Sequence, residues 1–382
     1  MFGRSRLVTA GAAIALCCLG SGIAVASTVR APWAESDHDA ARSRYNSAES
    51  TLGPSNVASA RYLRSVTAAP ANSPYGVCGP GAARTLLTAG RLFFVGDSGV
   101  YAYNAATGRQ IWRTGSDQAD STNYVDIAAW NGRIFVGEDD CGSASDPNGG
   151  IEVYDASTGA PVWSAYFGTA LSGLVVTGNY VVADGASIGS GAKVAVYDAA
   201  TGATVWSKDI SNSCDYLPTV LVVRGEVIQE CDDNGDLATE AADLATGTVR
   251  WTKTGNWNPL RGDSDAATAH HLYARSPTHA ITDINPATGA ARFTLAGATG
   301  VLAVGPVRVF TSCSVGICAY STATGAPSWS AAGSGPVALA NGVLYTGDGR
   351  ALNATTGAQL ATLFTGHASQ LMVGDGLSLI HI

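Results

Sequence analysis

The sequence predicts an all-β protein arranged as a β-propeller of four-stranded blades. Three observations carry this prediction: a seven-fold repeat with a period of about 41 residues, a glycine at a turn in every repeat, and a composition of 46 Gly with only 14% charged residues. Gly-rich composition with few charges suits strands and tight turns. Units of about 40–45 residues with four strands each are typical of propeller blades.

The first 26 residues have the features of a secretory signal peptide. Arg4 and Arg6 precede an apolar run, and Ala24-Val25-Ala26 forms a small-residue cleavage site. An uncleaved anchor is the alternative, because the apolar run nearly reaches the length that spans a bilayer. A lipid anchor is a weaker alternative, because neither cysteine of the run follows a small residue of the usual kind.

The charge balance excludes two classes of partner. Cleavage would remove two arginines and change the net charge from −8 to −10. An acidic chain with no basic cluster lacks the electrostatic features that bind nucleic acid or anionic lipid. With the signal peptide, we expect a protein that is secreted or held in the cell envelope outside the cytoplasm, with no membrane span after cleavage, and we expect a monomer.

Each repeat has the same local chemistry. In "VYAYNAATGRQIW", residues 100–112, an alternating strand-like run leads to Asn, which opens a turn, and Gly108 supplies the positive φ that such hairpins need. An aromatic residue four positions later lies on the next strand, where a ring fills space between neighbouring sheets. The repeat glycines are Gly108, Gly159, Gly202, Gly247, Gly289, Gly325 and Gly357, and the predicted docking aromatics are Trp112, Trp163, Trp206, Trp251, Phe293 and Trp329.

The x-D-x-x-T-G-x-x-x-W pattern resembles the pyrroloquinoline-quinone-type propeller repeat. That repeat occurs in quinoprotein dehydrogenases and in the propeller lipoprotein of outer-membrane assembly. Residues 27–57 resemble the lead-in segment of these proteins, with His38-Asp39, Ala41-Arg42-Ser43 and Tyr45-Asn46 matching. The resemblance covers nearly the whole mature chain, but it implies the fold rather than an activity, because one fold hosts many functions.

The resemblance also implies how the ring closes, with the propeller over residues 58–376. Proteins of this kind usually have eight blades, so we expect seven full repeats plus an incomplete closing blade built from both ends; seven blades is the alternative. Residues 60–66 would be its outermost strand and "SQLMVGDG", residues 369–376, its innermost. The final "LSLIHI", residues 377–382, matches the translation of a transposase end sequence used in sequencing libraries. We interpret it as a non-native tail on a truncated chain.

The six cysteines outside the predicted signal indicate disulfides, since an even number is typical of exported chains. In a four-stranded blade, the loops that enter first strands and the hairpins between second and third strands open on one side, which we call the loop face. The D-x-x-T-G turns open on the opposite side, the turn face. All six cysteines fall on the loop face, and of the fifteen pairings proximity favours Cys313–Cys318, Cys214–Cys231 and Cys78–Cys141.

One acidic loop carries a candidate metal site. In "CDDNGD", the residues Asp232, Asn234 and Asp236 stand at alternate positions, as do the first three ligands of a calcium loop. Leu237 stands where such loops have glycine. We favour an ordinary solvated turn here, with calcium as the alternative.

The functional prediction is a non-catalytic exported propeller that needs no cofactor. It would bind a protein, a peptide or a cell-surface polymer through its loop face. The alternative implied by the resemblance is a pyrroloquinoline-quinone-dependent dehydrogenase of alcohols or sugars, with calcium and a disulfide between adjacent cysteines. The only adjacent pair, Cys17-Cys18, lies in the predicted signal, and no catalytic residue can be assigned by motif.

Overall fold

The structure is a computed structural model, and it describes residues 13–18, 32–67, 84–96, 99–114, 122–140, 149–187, 191–210, 220–231, 237–255, 257–259, 266–374 and 376–381. Within these residues the regular structure is β-strand, apart from one three-residue 3-10 helix, Val57–Ser59. The all-β prediction is therefore confirmed. No helix in the described residues has the length and apolar character needed to cross a membrane.

The strands form seven blades in chain order and one further sheet. Three strands precede the blades: Ala13–Cys18 (β1), Tyr45–Asn46 (β2) and Arg61–Thr67 (β3). Blade 1 consists of Arg84–Thr88 (β4), Arg91–Gly96 (β5), Gly99–Asn104 (β6) and Gln110–Thr114 (β7). Blade 2 consists of Thr122–Trp130 (β8), Arg133–Asp140 (β9), Gly149–Asp155 (β10) and Pro161–Tyr166 (β11). Blade 3 consists of Leu171–Thr177 (β12), Tyr180–Ser187 (β13), Gly191–Asp198 (β14) and Thr204–Ile210 (β15), and blade 4 of Leu221–Val223 (β16), Glu226–Cys231 (β17), Leu237–Asp243 (β18) and Val249–Thr254 (β19).

The remaining blades continue the same order. Blade 5 consists of Asn258–Pro259 (β20), Leu272–Arg275 (β21), Ile281–Ile284 (β22) and Ala291–Thr294 (β23). Blade 6 consists of Gly300–Val304 (β24), Arg308–Cys313 (β25), Gly316–Ser321 (β26) and Pro327–Ala331 (β27). Blade 7 consists of Val337–Ala340 (β28), Val343–Thr346 (β29), Arg350–Asn353 (β30) and Gln359–Thr362 (β31). The chain ends in Gln370–Gly374 (β32) and Leu377–His381 (β33). Neighbouring strands within each blade are antiparallel, and β2 adds to blade 7 in parallel with β28.

The further sheet combines both ends of the chain in the order β3-β1-β33-β32. Its outermost strand, β3, coincides with the strand predicted at residues 60–66. Strand β1 comes from the predicted signal peptide, and β33 comes from the segment interpreted as a non-native tail; both interpretations remain predictions. The prediction of a β-propeller with four-stranded blades is confirmed, with seven blades from the seven repeats.

The repeat turn is built by its own side chains. In blade 3, the Asp198 carboxylate accepts the backbone N–H of Ala200 at 3.1 Å and of Thr201 at 2.8 Å, and the Thr201 hydroxyl also donates to it. Gly202 follows with a φ of 76° and donates its N–H to the Asp198 carbonyl. These bonds explain why Asp, Thr and Gly recur together at this turn.

The aromatic residue four positions after the turn glycine joins each of blades 1 to 6 to the blade that follows it. Five tryptophans donate their indole N–H to a turn carbonyl of the following blade at 2.8–3.2 Å: Trp112 to Ala156, Trp163 to Ala199, Trp206 to Leu244, Trp251 to Pro286 and Trp329 to Ala354. Each ring also covers the turn glycine of that blade, and Phe293 covers Gly325 in the same way but has no N–H to donate.

The first strands of the sheets line the axis of the ring. Strand β4 contacts β8, β8 contacts β12, β12 contacts β16, β24 contacts β28, β28 contacts β32, and β32 contacts β4. Blade 5 shares apolar clusters with blade 4 and with blade 6. The ring is therefore closed, and any segment that bonds to several first strands must lie at its centre.

Candidate functional site

Residues 33–46 lie at the axis of the ring, and we call this segment the axial hub. It is the central part of the lead-in segment that the sequence predicted. The hub and the blades exchange backbone hydrogen bonds of 2.7–3.0 Å: Trp33 with Leu87, Ala34 with Ala129, Ala40 with Val222, Ala41 with Ala267, Ser43 with Val304, and Arg44 with Leu339. The hub thus bonds to blades 1, 2, 4, 5, 6 and 7.

Side chains of the hub reach the two remaining sheets. The Glu35 carboxylate accepts the N–H of Val176 in blade 3 at 3.2 Å, and the Asn46 amide donates to the Val373 carbonyl of β32 at 2.8 Å. All eight sheets are therefore connected to this one short segment.

The hub backbone adopts a conformation that side chains usually avoid. His38, Arg42 and Arg44 have φ values of 83°, 54° and 53°, in the left-handed region that non-glycine residues seldom occupy. Each such residue costs on the order of 1 kcal/mol and persists only where surrounding contacts hold it. Here the contacts are the bonds to the blades and a buried ion cluster.

The ion cluster is centred on Asp37. Its carboxylate accepts hydrogen bonds from Arg42 Nη1 at 2.8 Å and from Arg44 Nε at 2.9 Å, and Arg42 Nη2 lies 3.4 Å from Asp126 of β8. Burial alone would raise the pKa of Asp37, but the guanidinium groups of Arg44, Arg42 and Arg84 together lower it to about 2. Asp37 is therefore ionised at all physiological pH values.

Two other carboxyl groups beside the cluster behave in the opposite way. Burial raises the pKa of Glu35 well above its usual value, with a further contribution from Asp39, and burial raises the pKa of Asp184 to about 8. Asp184 is therefore mainly protonated at neutral pH. Among the described residues, Glu35 Oε2 and Asp184 Oδ1 have no hydrogen-bond partner. Their burial keeps them away from any solute, so their role is internal.

A small cavity connects the hub to the loop face. It has a volume of about 20 Å³, enough for one water molecule. The hub contributes Trp33, Ser36, Asp37 and Arg44 to its wall, and the starts of β4, β28 and β32 contribute Arg84, Val337 and Gln370. Since first strands begin on the loop face, the cavity lies at the loop-face end of the axis.

The loop face carries one disulfide in the described residues. Cys313 and Cys318 are bonded across the β25–β26 hairpin, with Cα atoms 5.9 Å apart, which confirms that predicted pair. Between them Val315 is 59% exposed. Cys231 is the last residue of β17, and its predicted bond to Cys214 stays a prediction.

Several predicted site residues lie outside the described residues. These are Cys78, Cys141, Cys214, Asp232, Asn234 and Asp236. Within the described part of the chain, no three His, Cys, Asp or Glu side chains converge in a way that would hold a metal ion. The calcium interpretation of the acidic loop and the pairing of Cys78 with Cys141 therefore stay predictions.

Sequence reasoning did not identify the charged residues of the hub as part of the candidate site. It matched Arg42 only as part of a family pattern and gave no role to Asp37, Arg44 or Arg84. A signal was present, because four of the eight residues 37–44 are charged in a chain that is only 14% charged. The acids that face them from the blades, Asp126 and Asp184, carry no such signal.

Fold and hub together define a closed propeller with pyrroloquinoline-quinone-like repeats, and comparison with known proteins agrees. Residues 147–300 match the family model described as outer membrane protein assembly factor BamB. No curated protein is similar enough in sequence to be matched to this chain.

Solved structures share the fold at low sequence identity. Quinohemoprotein alcohol dehydrogenase from Comamonas testosteroni is 15% identical, with 93% of this chain and 77% of that chain covered and a TM-score of 0.65. BamB from Moraxella catarrhalis is 18% identical, with coverage of 77% and 94% and a TM-score of 0.52. The computationally designed Ika8 protein is 15% identical, with coverage of 78% and 95% and a TM-score of 0.60. These similarities confirm the predicted resemblance, and at such identities they concern the fold alone.

Proposed function

We propose that this chain is an exported, non-catalytic β-propeller that binds a protein, a peptide or a cell-surface polymer through its loop face. The observation that carries the proposal is the β25–β26 hairpin, which is cross-linked by the Cys313–Cys318 disulfide and exposes Val315 between the two cysteines. A cross-linked hairpin loses little conformational entropy on association. Burial of an exposed apolar side chain then favours binding.

The axial hub supports a role at the loop face rather than one deep inside the ring. Its charged groups are engaged in ion pairs with one another and with the blades, and its backbone is bonded to the first strands. The match of residues 147–300 to an outer membrane assembly factor supports protein binding in the cell envelope as the kind of role.

A pair of matched substitutions in blade 6 tests the proposal. Val315→Asp places a charge on the loop face, whereas Val307→Asp places the same charge at a 63% exposed position on the turn face. Binding to envelope fractions of the producing cell should be saturable, and Val315→Asp should weaken it at least tenfold while Val307→Asp leaves it unchanged. Equal binding by all three proteins would contradict the proposal.

The dehydrogenase alternative is tested separately. The described residues do not bring together the acidic ligands that its calcium ion would require. We expect that incubation with pyrroloquinoline quinone and Ca²⁺ gives no dye reduction with alcohols or sugars. Substrate-dependent dye reduction would reverse the preference between the two functions.

A further inference from the structure

We infer that the cavity between the axial hub and the start of blade 1 is a binding pocket for one carboxylate of the partner, held by Arg84 and Arg44. The inference rests on the proposed function, because it names the chemistry that the loop face recognises at its centre. It extends that function from a surface to a defined site.

The two arginines stand differently in the cavity wall. Arg44 is buried, and its guanidinium is fixed by a bond from Nε to Asp37 at 2.9 Å and from Nη1 to the Leu302 carbonyl at 3.3 Å. Arg84 is partly buried at the first position of β4, and its Nε is buried with no hydrogen-bond partner among the described residues. A buried donor without a partner is costly, so the site favours an acceptor there.

The charge balance of the cavity favours an anion. Asp37 also lines it, but that carboxylate is already shared by Arg42 and Arg44. Arg42 has a second carboxylate neighbour in Asp126, whereas the described residues provide no ion pair for Arg84. The segment before Arg84, residues 68–83, contains no charged residue, so the adjacent sequence supplies no counter-ion. Among the described residues, the three guanidinium groups of Arg42, Arg44 and Arg84 thus act on only two ionised carboxylates, Asp37 and Asp126, which leaves one positive charge in excess.

The size and shape of the site select a carboxylate. A volume of about 20 Å³ is far below the roughly 300–1,000 Å³ of pockets for drug-sized ligands. It admits no more than a small terminal group at its open mouth, such as the end of one side chain or of one chain terminus, with the rest of the partner lying across the loop face. Guanidinium groups bind planar carboxylates through paired N–H donors. The carboxylate is either the C-terminus of the partner or one of its Asp or Glu side chains.

Arginine NMR signals measure this binding directly. In the ¹⁵N-labelled full chain, the Nε–H signals of Arg84 and Arg44 are followed during titration with acetyl-Gly-Gly, which has a terminal carboxylate, and with acetyl-Asp-amide, which has a side-chain carboxylate. Acetyl-Gly-Gly-amide is the neutral control. We expect a saturable shift of both arginine signals with at least one carboxylate, at concentrations on the order of millimolar for so small a probe, and none with the amide.

Matched variants separate the pocket from general charge effects. Arg84→Gln should weaken binding of the carboxylate probe at least tenfold. Arg109→Gln, which removes an exposed arginine from the turn face, should leave it unchanged. The wild-type titration is informative even if Arg84→Gln fails to fold.

Each outcome decides between defined alternatives. A shift with only one of the two carboxylates supports the pocket and identifies the source of the anion. No shift with either, or an equal shift with the neutral amide, overturns the inference. If that happens while Val315→Asp still weakens envelope binding, the pocket is wrong and the proposed function stands. If carboxylates bind but neither valine substitution changes envelope binding, the pocket stands without the proposed function.

Discussion

Asp184 shows how the surroundings of one residue set its charge at the centre of this molecule. Its side chain is 2% exposed, and burial raises its pKa to about 8, although Arg42 acts in the opposite direction. In the unfolded chain the pKa would lie near 3.8. The folded protein therefore binds more protons than the unfolded chain between about pH 4 and pH 8, and the free energy of unfolding falls as the pH rises through this range.

Asp184→Asn should make the protein more stable at alkaline pH. The amide has the shape of the protonated acid but cannot ionise, so it removes the cost of the buried charge. We expect the free energy of unfolding to exceed that of the wild type by more than about 1 kcal/mol at pH 8 and to match it closely at pH 4. Denaturant unfolding at both pH values measures the difference.

Asp155→Asn is the control for this prediction. Asp155 is partly exposed on a turn, and hydrogen bonds from Ser157 and Thr158 lower its pKa to about 2. A group with a lowered pKa stabilises the fold above the unfolded pKa and loses that effect in acid, so its replacement should bring no gain at pH 8. A destabilised Asp184→Asn protein at pH 8 would contradict the assignment of a protonated acid.

At the scale of single residues, the sequence predicts the turn chemistry but not the buried charges. Thr201 and Gly202 could be placed because their hydrogen bonds are made within the same five residues. Asp126 and Asp184 stand in ordinary strand sequences, and their burial depends on a hub far away in the chain. Nothing local distinguishes them from solvent-facing strand residues.

Among the elements, the contact between one blade's aromatic and the next blade's turn glycine is the recurring joint of the ring. Gly247 has a φ of 70°, and a Cβ atom there would lie 2.9 Å from the Trp206 ring. Gly225, in the hairpin between β16 and β17 of the same blade, has a φ of 75° and no atom within 4 Å of such a Cβ. The two glycines therefore differ in packing but not in backbone conformation.

Gly247→Ala should destabilise the protein more than Gly225→Ala does. Both substitutions strain the backbone at positive φ, which costs on the order of 1 kcal/mol. Gly247→Ala also displaces Trp206, and we expect a further loss of about 1–3 kcal/mol from overpacking. Thermal unfolding of the two variants isolates the joint, and equal losses would show that the docked ring contributes nothing.

The elements were predictable to the extent that their pattern is local. The repeat gave the strands, the turns and the order of the blades, because one period of the sequence contains all of their signals. It gave no sign that Ala13–Cys18 pairs between β3 and β33, since an apolar run of that composition also fits a signal peptide. It also gave no sign of β2, which spans only two residues.

Across the whole molecule, the hub connects parts of the chain that are hundreds of residues apart. Asn46 and Val373 are separated by 327 positions, and Ser36 accepts a bond from Gln370 over 334 positions. Such contacts have no periodic signature in a sequence. They explain why residues 33–46, which contain little regular structure, hold the ring at its centre.

Hydrogen exchange should reveal the hub as part of the most stable unit. The amide hydrogens of Val222, Ala267, Val304 and Leu339 bond to hub carbonyls, and we expect them to exchange only through global unfolding. The amide of Thr201, bonded to Asp198 within a turn and exposed, should exchange through local opening. Exchange of the hub-bonded amides as fast as that of Thr201 would show that the hub is only loosely attached to the blades.

Photo-crosslinking is the measurement that tests the loop face as the binding surface most directly. Benzoylphenylalanine in place of Val315, or in place of Val307, puts the same reactive group on the loop face or on the turn face of blade 6. After irradiation with envelope fractions of the producing cell, we expect one dominant adduct from position 315 and none from position 307. Adducts from position 307 in the absence of adducts from position 315 would contradict the loop face as the binding surface.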